Sequence, residues 1–83
     1  MAVAPTVPIG GQIVLVTTAR LEGGEPLRTP YIVAERDPAK AEEAIRAIMA
    51  PNETVEAVWP LPVNVIEAFG LRPGDFTPWR ASL

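Results

Sequence analysis

The stretch from Asp37 to Pro51 constrains the fold more than any other part of this chain. Asp37 followed by Pro38 is a helix start: a carboxylate suited to accept the free N–H groups of a first turn, then a residue whose missing N–H is not needed there. Ala41, Ala44, Ile45, Ile48 and Met49 follow at i, i+3, i+4, i+7 and i+8, which is one apolar stripe on a helix. Lys40, Glu42, Glu43 and Arg46 take the other side, with Glu42 and Arg46 spaced and ordered for a weak ion pair. Pro51 ends the helix.

The segments around this helix read as strands. Gln12 to Ala19, Q-I-V-L-V-T-T-A, is rich in β-branched residues and apolar at both alternating sets of positions, as a central strand is. Gly23 and Gly24 in the following L-E-G-G-E-P-L can both take the positive φ of a tight hairpin turn. A two-residue loop, however, sets Glu22 opposite Glu25 and puts Pro26 inside the ladder, so a longer loop is an equal alternative. A second strand is expected from about Thr29 to Glu35, and Pro30 near its start suggests an edge position. Thr54 to Trp59 alternates as a third strand, stopped by Pro60.

Beyond it, Pro62 opens a short second helix that would bury Val65, Ile66 and Phe69. Gly70 then suits the left-handed position after its end, from which Leu71 folds back on Ile66. Arg72-Pro73-Gly74-Asp75 is a turn, and the remaining F-T-P-W-R-A-S-L shows no periodicity.

The expected order is therefore β-β-α-β-α, an α+β fold. A right-handed crossover makes the second and third strands parallel, and the apolar first strand fits between them. That predicts a three-stranded mixed sheet, a split β-α-β arrangement with its first strand central. One long helix packs on one face and a short C-terminal helix follows. In domain terms, residues 1–11, with two prolines and a closing Gly10-Gly11, read as a flexible N-terminal arm. Residues 12–76 form a single domain, and 77–83 are a C-terminal tail. With 83 residues the core is small, since a domain of this size buries only about 60% of its unfolded surface.

Composition narrows the chemistry. The chain has no cysteine and no histidine, which removes disulfides, thiolate nucleophiles, thiolate metal sites and the commonest general base. Hydrophobic residues are 48% of the chain and charged ones 20%, the balance of a packed domain. The net charge is −3, and the seven basic residues are scattered among acids, which argues against nucleic acid and against an anionic membrane surface. No apolar run spans a bilayer, and Met1 to Gly11 carries no basic residue of a signal peptide. The acceptor pattern Asn52-Glu53-Thr54 reads as an ordinary loop. A cytoplasmic protein is the expectation.

The remaining candidates for chemistry each have a plainer reading. Glu35 and Asp37 could hold a cation or act as acid and base, but the plainer roles are a solvated carboxylate and a helix cap. The glycine pairs match no phosphate-binding motif. Tyr31 and Lys40 are candidates for proton transfer, yet Tyr31 suits packing on a strand and Lys40 lies on the polar side of the helix. No pattern asks for a cofactor or a metal, and the reading tends away from an enzyme.

The segment L-P-V-N-V-I-E-A-F-G-L-R-P-G-D-F, Leu61 to Phe76, resembles one short stretch of the AbrB-like swapped-hairpin DNA-binding proteins. The shared features are a proline-led short helix, a Gly-Leu step and then Pro-Gly-Asp. The likeness is confined to residues 61–76 of the 83, lacks that family's basic residues near the helix, and implies DNA binding only as a remote alternative.

What is left is surface. A small sheet with a helix on one face exposes its second face and its edges, which are places where partners dock. Tyr31, Trp59, Phe76, Trp79 and Arg80 are the expected interaction surface, Trp and Arg being common interface anchors. The expected function is a non-catalytic interaction or accessory module that binds a protein partner or itself, as a homodimer. The alternative is a small-ligand-binding or sensor domain with a pocket between the sheet and the C-terminal aromatics.

Overall fold

The computed structural model describes residues 7–20 and 22–79. Its helix α1 spans Pro38–Arg46. Asp37 Oδ1 accepts the Ala39 N–H at 2.9 Å, and Glu35 Oε2 accepts the Asp37 N–H at 3.0 Å, so both carboxylates serve the helix start. Ala41 and Ile45 are fully buried. The chain then tightens: Ile48 donates to the Ile45 carbonyl at 3.0 Å and Met49 to that of Arg46 at 3.2 Å. These i→i−3 bonds wind the last turn faster than an α-helix and carry Ile48 out of the apolar stripe. Met49 packs on the core, whereas Ile48 is left 55% exposed.

Four strands form one sheet: β1 (Ile9–Thr18), β2 (Leu27–Val33), β3 (Glu53–Pro62) and β4 (Phe76–Pro78), in the order β3-β1-β2-β4. Every neighbouring pair is antiparallel. The expected three-stranded mixed sheet is thus corrected in strand count, in order and in type. β2 and β3 do run in the same direction, but β1 separates them, so no parallel ladder forms. The fourth strand comes from Phe76-Thr77-Pro78, too short and too proline-rich to announce itself. It exists because β2 offers a row of peptide groups on its far side: the Trp79 N–H reaches the Pro30 carbonyl and the Ala34 N–H reaches the Asp75 carbonyl, both at 2.8 Å.

The edge position inferred from Pro30 is corrected by the same geometry. In an antiparallel strand the N and C=O of one residue face the same side. Pro30 turns its carbonyl toward Trp79, so its nitrogen also points away from β1, and the β1–β2 ladder is unbroken there. Pro60 does not stop β3, which continues to Pro62. β3 is an edge strand, where a missing N–H is tolerated.

The two faces of the sheet carry separate apolar clusters. On one, Val14, Val16, Val33 and Val55 pack with Ala41 and Ile45 of α1. On the other, Ile32 and Ala34 pack with Ile66 of the second helix, α2 (Val63–Ala68), flanked by Leu61 and Leu71. Gly10 and Gly11, expected to close an arm, lie within β1. A Cβ on Gly10 would stand 2.5 Å from Val63 Cα, and one on Gly11 2.2 Å from the Val33 oxygen. These two glycines allow α2 to rest directly on the sheet. Residues 1–6 of the expected arm and 80–83 of the expected tail lie outside the described residues.

Gly70 has φ +70°, and the Leu71 N–H returns to the Ile66 carbonyl at 3.3 Å. Phe69, expected in the core, is 45% exposed, because α2 ends at Ala68 and Phe69 only caps it. No described helix is long and apolar enough to cross a membrane.

One carboxylate ties the ends of β1 and β3. Thr18 Oγ1 donates to Glu53 Oε2 at 2.6 Å, and the Ala50 N–H donates to Oε1 at 2.9 Å. The Thr18 hydroxyl, and after it the Ala50 amide, hold the Glu53 carboxyl below its ordinary value. Because the folded pKa is depressed, this contribution to stability is complete above the unfolded glutamate pKa. It is lost as pH falls through the lower, folded value. A Thr18→Val variant is expected to raise the Glu53 pKa toward the usual glutamate range, as read by carbon-detected NMR titration of the carboxyl. An unchanged Glu53 titration in that variant would rule out the Thr18 bond as the main cause.

Candidate interaction surface

The four described residues of the five expected do not form one site. Tyr31 lies opposite Val14 on one side and Pro78 on the other, and Phe76 lies opposite Val33. Both therefore face the α1 side of the sheet. Their rings meet edge to face, with centroids 6.4 Å apart and planes at 67°. Tyr31 packs against the core, and Phe76 lies against the Tyr31 ring at the β4 edge. The pair completes the α1-side core where the helix, which contacts β1 and β3, does not reach.

Trp59 and Trp79 belong to the opposite face. Trp59 pairs with Ile13 across the β1–β3 ladder. Trp79 continues the β4 register through its bond to Pro30, which pairs with Leu15, which in turn pairs with Glu56. Side chains alternate along each strand, so two rows cross this face. One runs Trp79, Pro30, Leu15, Glu56; the other runs Thr77, Ile32, Ile13, Trp59. The two tryptophans thus stand at opposite edges, separated by three strand spacings, or about 14 Å. Trp59 is 66% exposed and Trp79 45%. α2 and Leu71 cover the Ile32 end, leaving Ile13, Leu15 and Pro30 half-buried between the tryptophans. Arg80 lies outside the described residues.

Ile13, Leu15 and Pro30 were missed as surface residues by the sequence reading. The continuous apolar run Ile13 to Val16 looks equally buried on both faces; only the strand pairing shows that α1 covers the even positions and leaves much of the odd ones open.

The sheet edges offer a partner little. On β3, Val58 is the extra residue of a bulge between the Ile13–Trp59 and Val14–Ala57 pairs. Glu42 Oε2 of α1 accepts the Ala57 N–H at 2.8 Å, and Pro60 and Pro62 lack N–H groups altogether. The Glu42–Arg46 ion pair, at 3.8 Å, leans on the same carboxylate. β4 has three residues, one of them Pro78. These are the devices by which edge strands are kept from pairing.

The other candidates for chemistry fall to structural roles. Glu35 and Asp37 bond to local backbone as described above, and Lys40 is exposed on α1. Among the described residues no group of three His, Cys, Asp or Glu side chains gathers to hold a metal. A cleft of about 510 Å³ is present, but the C-terminal aromatics do not line it. It lies where the start of β1, α2 and the β2–α1 junction meet. Comparison of the chain with protein-family models, with curated proteins and with solved structures finds no match.

Proposed function

We propose that this protein is a small non-catalytic interaction module that self-associates through the sheet face bearing Trp59 and Trp79. The observation that carries the reading is the pair of exposed tryptophans at opposite edges of a half-open apolar face. The closed edges point the same way, since they leave that face as the route to a partner. A sequence without cysteine or histidine favours a surface role over catalysis.

A second copy suits the face because its features are self-complementary. Arg28 lies on the β2 side and Glu56 on the β3 side of the apolar centre. A two-fold axis along the strands brings each Arg28 toward Glu56 of the other copy and each Trp79 over the other β3. The face spans four strands and about three residue rows, roughly 19 by 20 Å. That is well under the ~800 Å² per partner of a standard stable interface, so the dimer dissociates on dilution.

Sedimentation velocity across micromolar to millimolar protein should show a concentration-dependent shift from monomer to dimer. The two tryptophans are the only ones in the chain, and their emission should move to the blue in step with association. Trp59→Ser, at an exposed position, should leave the fold intact and weaken self-association about tenfold or more. A monomer at every concentration, with constant emission, rules out the homodimer.

A further inference from the structure

The cleft at the far end of α2 has the make-up of a small-molecule site. Its floor is Ala34, Val63, Ile66 and Leu71, and its described walls hold two charged residues, Arg36 and Glu67. A volume of about 510 Å³ falls within the range of ligand pockets, and an apolar lining with few polar groups is their usual composition.

Hydrogen bonds hold the backbone of the walls in place. Gln12, 5% exposed and the buried polar side chain of the core, donates Nε2 to the Arg36 carbonyl at 2.8 Å. That bond holds the backbone from which the guanidinium projects. Across the cleft, the Ala34 peptide is clamped by the Asp75 carbonyl and the Gly74 N–H, both at 2.8 Å, and Leu71 is tied to Ile66. Rigid walls reduce the ordering that binding must impose.

We infer that this cleft binds a small molecule with an apolar body and a single carboxylate. The body rests on Ala34, Val63, Ile66 and Leu71, and the carboxylate meets the Arg36 guanidinium. Arg36 makes no ion pair with a described residue. Asp37, its neighbour in sequence, turns Oδ1 to the Ala39 N–H and forms no ion pair with Arg36. Glu67 on the α2 wall repels a carboxylate, which sets the ligand's polarity: charge toward Arg36, apolar end toward α2. One cation in the wall suits one negative charge. The cleft lies beside the covered Ile32 end of that sheet face and shares none of Trp59, Trp79, Ile13, Leu15 and Pro30, so loss of self-association leaves ligand binding intact and the reverse.

Octanoate, kept below its aggregation concentration, and octanol, its uncharged counterpart, are suitable probes in amide-resolved NMR titrations of the whole chain. Octanoate should shift the amides of Ala34, Arg36, Ile66 and Leu71 and bind about fivefold more tightly than octanol, the scale of a partly exposed guanidinium–carboxylate contact. Arg36→Gln should bring octanoate down to the affinity of octanol or below it, since Glu67 still repels the carboxylate, and leave octanol unchanged. Glu67→Gln should tighten octanoate alone. Both positions are exposed, so the variants fold. Equal affinity for the two probes, indifference to Arg36→Gln, shifts centred on Ile13 and Leu15 instead of the cleft, or no binding at all would each overturn the inference.

Discussion

Gly11→Ala should lower the unfolding free energy by about 3 kcal/mol, a large share of the roughly 5–15 kcal/mol available to a small domain. The added Cβ would stand 2.2 Å from the Val33 carbonyl oxygen and 2.6 Å from Ile66 Cδ1. The Ile66 methyl can turn aside. The Val33 oxygen cannot, because it belongs to the strand paired with β1 at Gln12. Relief therefore requires β1 and β2 to part there, which disturbs the packing of Ile32 and Ala34 beneath α2. Gly23→Ala is the matched comparison: φ is +81°, but nothing lies within 4 Å of the added carbon. It should cost only about 1 kcal/mol, from backbone strain. Urea unfolding of both variants, with the slope checked for constancy, separates the two effects. Equal losses would mean that the approach of α2 and β2 to Gly11 is no constraint.

Ile45→Ala is the second large effect, with an expected loss of about 4 kcal/mol. Ile45 is fully buried among Val14, Val16, Val33, Ala41 and Val55, and it is the largest side chain that α1 sends into that cluster. Its removal leaves a cavity bounded by β-branched residues on rigid strands, which have little freedom to collapse into it. Ile48→Ala, three residues on, should change stability by no more than about 0.5 kcal/mol, because Ile48 is mostly exposed. The two isoleucines lie on one stripe in the sequence, so the contrast between them in thermal or denaturant unfolding tests where the helix ends. A large loss at Ile48 would place it in the core and extend α1 toward Pro51.

Several features were legible in the sequence because they depend on neighbours along the chain. Asp37-Pro38 announces the start of α1, and the Asp37 carboxylate does cap it. Gly70 takes the left-handed conformation expected after α2, and Gly74 that of the turn at Arg72–Asp75, where the Asp75 N–H reaches the Arg72 carbonyl at 2.9 Å. The hairpin loop between Thr18 and Leu27 is the longer of the two alternatives, consistent with the misplaced charges and proline that a tight turn would have created.

Other features depend on residues far apart in sequence. Phe76-Thr77-Pro78 is a strand only because β2 presents unpaired peptide groups on its outer side, and no local propensity records that. Gly10 and Gly11 read as the end of a loose arm until α2, more than fifty residues later, comes to rest on them. Trp59 and Trp79 share a face because β1 and β2 separate them in the right register, while Tyr31 and Phe76, equally aromatic, fall on the other side. Helix stripes, caps and turns are set by contacts a few residues apart, which short stretches of chain specify. The absence of cysteine and histidine is likewise a property of the chain alone. Strand order, the direction each side chain faces, and the open surfaces that follow are set by long-range pairing, where a shift of one residue exchanges inside for outside.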